Sequence, residues 1–350
     1  MNPEGGIVKR KSLFSRIKNS FLEALRLTDK PLVKVYSGFG NDTHCYVFGH
    51  VFSFSPVPRK KYRQNFLSNT LALIRLFMVK PVSGAKVQFT WEEKVYHAET
   101  AKDGFFRFDF SPSAPLKPGW HPVSVTLLGN RGSIAVGEAH ICIPHPGQYT
   151  FISDIDDTFL ISHSSNLRKR LYVLLTENAR SRQPFEGVVN HYQLLADTGT
   201  SLEYDNPFFY VSSSEWNLYD YIREFSSVNK LPAGVYLLNQ VKQLREVLRT
   251  GQNNHGTKFM RIARIMEAYP QQDFILLGDD SQEDPVIYAS IVSHFRDKVK
   301  AVYIRKVTGR PKDIALEKIS EMETAGVRCC YFEHSAEAVI HSKQIGLIIV

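Results

Sequence analysis

Between Thr150 and Glu333 the chain carries six apolar runs of strand length: TFISDID, FFYVSSS, VYLLN, FILLGDD, KAVYIRKV and RCCYFE. Helical patterns separate several of them, over Lys258–Ala268, Pro285–Phe295 and Asp313–Ala325. Runs this apolar are buried on both faces, and their alternation with helices predicts an α/β fold with a doubly wound parallel sheet. In such folds the ligand lies beyond the carboxyl ends of the strands. Those ends are polar here: Asp154 and Asp156 close the first run, Ser212 the second, and Asp279 and Asp280 the fourth. One acidic strand end can be chance. Three polar ends in one sheet predict a site.

The first end reads FISDIDDT, a D-x-D-x-T pattern over Asp154, Asp156 and Thr158. Neighbouring carboxylates repel by about 1 kcal/mol when exposed and by more when buried, so the pattern calls for a cation. Alternate residues of a strand point the same way, which lets Asp154 and Asp156 face one point while Ile155 and Asp157 turn elsewhere. One carboxylate can bind a hard cation and attack phosphorus. The other can serve the leaving oxygen as an acid. Magnesium suits such a site, and Asp279 from another strand is a further ligand. The Ser212 hydroxyl can bond a phosphoryl oxygen, and Lys258, at the start of a helix, can neutralise the phosphoryl group and the carboxylates together.

The chain before Tyr149 has a different rhythm. VKVYSG, HCYVFGHVFSF, KVQFTW, KVYHAET, FFRFDF, HPVSVTLLG and IAVGEAHICI are short, alternating, β-branched runs broken by Gly, Pro and Asn-Asp. They predict an antiparallel β-sandwich of immunoglobulin-like type over residues 31–148. Tyr62 to Met78 follows helical spacing and is read as a helix inserted between strands, and Gly38-Phe39-Gly40 as a loop. Residues 1–30 stand apart. Leu13, Ile17, Phe21 and Leu25 share one arc of a helical wheel, and Lys9, Lys11, Arg16, Lys18 and Arg26 flank or oppose it. This basic amphipathic helix either anchors the chain on an anionic membrane surface through residues 9–27 or packs on the protein's own body.

The net charge of +8 favours an anionic partner without choosing among phosphorylated ligands, lipid surfaces and nucleic acid. No apolar run reaches the ~20 residues of a membrane span, and no secretory signal is evident. Cys45, Cys142, Cys329 and Cys330 form no C-x-x-C motif and are read as reduced thiols of a cytoplasmic chain, with a Cys45–Cys142 bridge as the minor alternative.

FISDIDDT, the serine-ended strand FFYVSSS, His255-Gly256-Thr257-Lys258 and FILLGDDSQED occur in the order of the haloacid-dehalogenase-like phosphatases. Together with PFEGVVNHYQLL, YVSSSEWNLYDYI, LPAGVYLL, KFMRIARIMEAYP and KAVYIRKV, they resemble the actin-patch-protein type of phosphatidate phosphatase domain. The resemblance covers Phe151 to Val307 well and the β half loosely. It implies a haloacid-dehalogenase-like domain over residues 149–350 and a magnesium-dependent phosphomonoesterase that converts phosphatidate to diacylglycerol. By this carry-over Asp154 is the nucleophile and Asp156 the general acid/base, Ser212 and Lys258 hold the phosphoryl group with Thr158 beside them, and Asp154, Asp156 and Asp279 hold the metal. Asp280 and Asp284 stand behind the ligands. Nucleic acid is not expected as a partner.

The chain departs from that family's pattern at Ser214-Glu215-Trp216, where Ser-Pro-Trp is usual, at Ile304-Arg305-Lys306, where I-R-D is usual, and at Asp280, where serine is common. No catalytic group is lost, so the departures bear on the substrate. Two rival readings stand beside the lipid phosphatase: the same chemistry on a soluble phosphoester, and a non-catalytic module that binds lipid or protein. A calcium loop at Asp154–Asp156 lacks the Gly and Glu spacing of an EF-hand. Asp284 is either a ligand-side carboxylate or the cap of the helix near Pro285, and Ser213 and Ser214 are read as structural neighbours of Ser212, either able to replace it as phosphate ligand.

Overall fold

The computed structural model describes residues 27–28, 30–56, 75–130, 132–145, 149–156, 158, 184–199, 205–241, 255–307 and 312–348. The N-terminal amphipathic segment up to residue 26, most of the Tyr62–Met78 helix and Asp157 lie outside them; of that helix, Arg75 and Leu76 are helical.

The first half is a ten-stranded, mainly antiparallel network. Its strands are β1 (Leu27–Thr28), β2 (Leu32–Val35), β3 (Gly38–Gly40), β4 (Cys45–Pro56), β5 (Lys80–Pro81), β6 (Lys86–Trp91), β7 (Lys94–Glu99), β8 (Phe105–Phe110), β9 (Gly119–Gly129) and β10 (Gly132–Ile143). The long β4 is the hub and pairs with β1, β2, β3, β5 and β8. The Gly38-Phe39-Gly40 segment, expected to be a loop, is a strand that pairs parallel to β10 and antiparallel to β4. Its first glycine answers a close approach: a Cβ on Gly38 would sit 2.2 Å from the Tyr46 carbonyl oxygen.

The second half is an all-parallel sheet of β11 (Tyr149–Ser153), β12 (Phe208–Glu215), β13 (Gly234–Asn239), β14 (Asp273–Asp279), β15 (Val299–Arg305) and β16 (Arg328–Phe332), in the order β13-β12-β11-β14-β15-β16. The predicted α/β class and parallel sheet are observed. Among the described residues six α-helices accompany it: α1 (Val188–Asp197), α2 (Tyr219–Val228), α3 (His255–Ala268), α4 (Asp284–His294), α5 (Asp313–Thr324) and α6 (Ser335–Gln344). Phe208–Val211, Phe274–Leu277 and Ala301–Ile304 are buried on both faces, which is why these strands read as unbroken apolar runs. The chain winds outward from β11 to β13 on one side and from β14 to β16 on the other. The crevice between the carboxyl ends of β11 and β14 is therefore the topological switch point.

One core cluster crosses both halves, and a second lies within the β half. Tyr36 stacks on Trp216 with ring centroids 4.0 Å apart, and Phe39 meets Phe209 edge-on. Asn41 Nδ2 donates to the Ala268 carbonyl at 2.6 Å and Asn217 Nδ2 to that of Leu76 at 2.9 Å. All four cysteines are free. Among the described residues no helix is long and apolar enough to cross a membrane.

Candidate active site

The switch point is where the charged residues collect. Asp154 follows the last residue of β11, and its backbone N–H donates to the Leu277 carbonyl of β14 at 2.8 Å, which fixes the two strand ends side by side. Asp279 ends β14, and Asp284 opens α4. Gly278 makes room for the latter: a Cβ there would lie 2.5 Å from Asp284 Oδ2. The Asp279 N–H then donates to that oxygen at 3.3 Å. A carboxylate in the first turn of α4 also meets the favourable end of the helix dipole.

Asp154, Asp279 and Asp284 are buried, and each offers a carboxylate oxygen within 4.8 Å of the others. Lys258, on α3, reaches in from the far side. Its Nζ lies 2.7 Å from Asp154 Oδ1 and also contacts Asp284 Oδ1. Thr158 Oγ1 donates to Asp279 Oδ2 at 3.1 Å and lies 3.5 Å from Asp154 Oδ2. Ser281 N–H donates to Asp279 Oδ1 at 2.5 Å.

The electrostatics follow from burial. Asp279 is pushed up to about 7 by burial and then by Asp284, with the Ser281 bonds and Lys258 opposing. Asp154 is raised by burial, against the pull of Lys258, and further by Asp284, Asp279 and Asp156. Burial acts to lower Lys258, but its pairing with Asp154 and Asp284 outweighs that and keeps it protonated. With all three carboxylates ionised, one ammonium leaves two negative charges, the charge of one divalent cation.

Asp156 occupies a separate environment. Its Oδ2 accepts the hydroxyl of Ser212 at 3.0 Å and that of Ser214 at 2.6 Å, and Ser212 Oγ in turn accepts the Ser214 N–H at 2.9 Å. The register of β12 against β13 shifts between Val211 and Glu215, so the Ser212–Ser214 stretch leaves the ladder at a bulge and turns two hydroxyls toward Asp156. Arg261, one turn after Lys258 on α3, holds this bulge. Its guanidinium donates to the Ser212 carbonyl and to Asn239 Oδ1, each at 3.2 Å.

The structure thus brings Asp154, Asp156, Thr158, Ser212, Lys258, Asp279 and Asp284 to one strand-end site. Two placements differ from expectation. The carboxylate grouped with Asp154 and Asp279 is that of Asp284, while the Asp156 side chain is taken up by serines. Asp284 is the first residue of α4, preceded by Glu283 at the cap, and its carboxylate faces the site. Asp280 is buried but turned the other way: its carboxylate accepts the Val307 N–H at 2.9 Å and the Tyr331 hydroxyl at 2.7 Å. Asp284 is thus the ligand-side carboxylate of the two readings the sequence left open, and Ser214, read as a neighbour of Ser212, shares its role; Arg261 was not singled out in the sequence. For Arg261 the signal was its i+3 spacing from Lys258.

Residues 149–306 match the family model described as "Phosphatidate phosphatase APP1, catalytic domain". The phosphatidate phosphatase APP1 of Saccharomyces cerevisiae is 26% identical over 213 residues, which cover 59% of this chain and 33% of that protein. An uncharacterized protein of Schizosaccharomyces pombe is 21% identical over 226 residues, 62% of this chain and 36% of its own length. The chain therefore spans about a third of the length of these curated relatives. Among solved structures, a carbohydrate acetylesterase from Xanthomonas citri aligns over 87% of this chain and 70% of its own at 8% identity, with a TM-score of 0.33.

Proposed function

We propose, from the match of residues 149–306 to the family model of the APP1 phosphatidate phosphatase catalytic domain, that the protein is a magnesium-dependent hydrolase that releases phosphate from phosphatidate and leaves diacylglycerol. We read the parallel half as haloacid-dehalogenase-like and the β half as an immunoglobulin-like sandwich joined across one edge by the β3–β10 pair. The unit boundaries proposed are residues 1–30, 31–148 and 149–350. The observation that carries the activity is the buried Asp154–Lys258 ion pair inside the Asp154, Asp279 and Asp284 group at the switch point.

A hard divalent ion fits this donor set, which offers carboxylate oxygens and no histidine or thiol. Asp154, Asp279 and Asp284 would hold it, and magnesium there would neutralise negative charge on the phosphoryl group. The remaining chemistry belongs to side chains. Lys258 opposes the burial that raises Asp154 and so favours its ionised form, in which the carboxylate can attack phosphorus and form an aspartyl-phosphate. Ser212 and Ser214 fix Asp156 through Oδ2 and so place the carboxyl group that carries the proton given to the leaving lipid oxygen. The same carboxylate then takes a proton from the water that hydrolyses the intermediate. Thr158 ties Asp154 to Asp279 and keeps the nucleophile over the metal-holding carboxylates.

The experiment is phosphate release from phosphatidate in mixed micelles, with magnesium or with EDTA, for wild type and Asp154→Asn. Release that needs magnesium and is lost in the variant supports the reading. Variant-sensitive turnover of an aryl phosphate without release from phosphatidate moves the substrate to soluble phosphoesters. No turnover of either substrate overturns the reading. The proposed peripheral membrane site at residues 9–27 has its own test: deleting residues 1–30 weakens binding to anionic vesicles, and unchanged binding removes it.

A further inference from the structure

Arg305 ends β15, directly beside Asp279 in the β14–β15 ladder, and is 2% exposed. Among the described residues no carboxylate lies within ion-pair distance of it. Its donors go instead to three acceptors on two segments, the Thr158 stretch and the turn between β16 and α6. Nε donates to the Thr158 carbonyl at 3.0 Å, NH1 to the Glu333 carbonyl at 3.1 Å, and NH2 to Ser335 Oγ at 2.8 Å. Phe185 and Phe332 pack against the guanidinium, their ring centroids 4.5 and 4.8 Å from its Cζ. A buried cation that spends its hydrogen bonds on backbone carbonyls and a hydroxyl is expensive to keep for stability alone, because an apolar side chain would pack there without desolvating a charge.

Its first acceptor suggests a use. Thr158 is the residue whose hydroxyl meets both Asp154 and Asp279, and it lies only four positions after Asp154. Holding the Thr158 carbonyl sets where that hydroxyl points, and so where the Asp154 carboxylate rests. A lysine carries the charge but lacks the planar fork that reaches three acceptors in fixed directions. We propose that Arg305 is a positioning residue for the reaction: through the Thr158 carbonyl it clamps the Asp154–Thr158 loop against the end of β14 and aligns the nucleophile.

This inference rests on the phosphatase reading for its kinetic consequence, and a second readout separates the two. Arg305→Lys and Arg305→Ala are compared with wild type in phosphate release from an aryl phosphate with magnesium. A misplaced nucleophile lowers kcat about 100-fold while KM moves little. Ethylguanidinium added to Arg305→Ala restores part of kcat, an effect that a loss of folded protein does not show. Hydrogen exchange is followed in parallel by mass spectrometry of the whole chain. In both variants the peptide spanning Asp154–Thr158 exchanges faster, while peptides from β12 and β14 keep wild-type protection. Should wild type turn over no phosphomonoester, the phosphatase reading fails and the exchange result still decides the clamp. Wild-type protection of Asp154–Thr158 in Arg305→Lys, or a kcat within twofold of an active wild type, overturns it. Global loss of protection in Arg305→Ala alone makes the lysine variant decisive.

Discussion

The ammonium of Lys258 sits 2.7 Å from Asp154 Oδ1, although the two residues are 104 positions apart, and both are buried. The pair joins the end of β11 to the start of α3 across the switch point. Removing one partner of a buried pair strands the other, at a cost of about 3–5 kcal/mol. Lys258→Met is therefore expected to lower the thermal midpoint markedly in EDTA. Magnesium recovers part of that loss by taking over charge neutralisation, while kcat stays at least about 100-fold down. Thermal melts with and without magnesium, together with phosphate release, check this.

The pH dependence has a definite sign. Asp279 is pushed up to about 7 in the folded chain, mainly by burial and then by Asp284, whereas an unfolded Asp titrates near 4. The folded state therefore binds the proton more tightly. That contribution to stability is fully present below pH ~4 and is lost as pH rises through about 7. A divalent cation competes with this proton. Calorimetry in buffers of different ionisation enthalpy is expected to show proton release on manganese binding at pH 6 and almost none at pH 8.5. Equal release at both values contradicts the assignment.

Ser214 carries as much of the Asp156 environment as Ser212. A hydrogen bond to a charged group contributes about 1.5–3 kcal/mol. If Asp156 is placed by these two hydroxyls, Ser214→Ala and Ser212→Ala each lower kcat by about 10- to 100-fold. The double variant loses less than the product of the single losses, because both bonds end on Oδ2 of one carboxylate. Steady-state kinetics of the three variants tests the coupling.

Trp216 links the site to the β half. It lies two residues beyond Ser214 and stacks on Tyr36. Truncating a buried tryptophan costs about 3–5 kcal/mol. Trp216→Ala is expected to destabilise the whole chain and to leave a single unfolding transition, since a shared core crosses between the halves beside the β half's own core. Calorimetry that resolves two transitions in wild type contradicts this.

Much of this was legible because parallel strands buried on both faces spell themselves out. FILLGDD and FFYVSSS show both the strand and the polar residue at its end, and the site lies at those ends. The directions of side chains were harder to read. Strand alternation put Asp154 and Asp156 on one point, but the chain leaves strand geometry after Ser153, and Asp156 turns to the serines. Asp284 is five residues beyond Asp279 and comes back only because Gly278 has no side chain to block it. The β3 strand hid behind two glycines that mark a close approach instead of a turn. Arg305 looked like a strand residue, because nothing in the sequence says which carbonyls a buried guanidinium will find.

The central claim is that Asp154 attacks phosphorus. The most direct measurement is to quench the reaction of phosphatidate with magnesium in acid, reduce with borohydride, and map the product by mass spectrometry. Wild type and Asp156→Asn, in which hydrolysis of the intermediate is slowed, are run together. Borohydride converts an aspartyl-phosphate to homoserine, and the account predicts that conversion at position 154 alone. Conversion at another aspartate, or none in either protein while phosphate is still released, contradicts it.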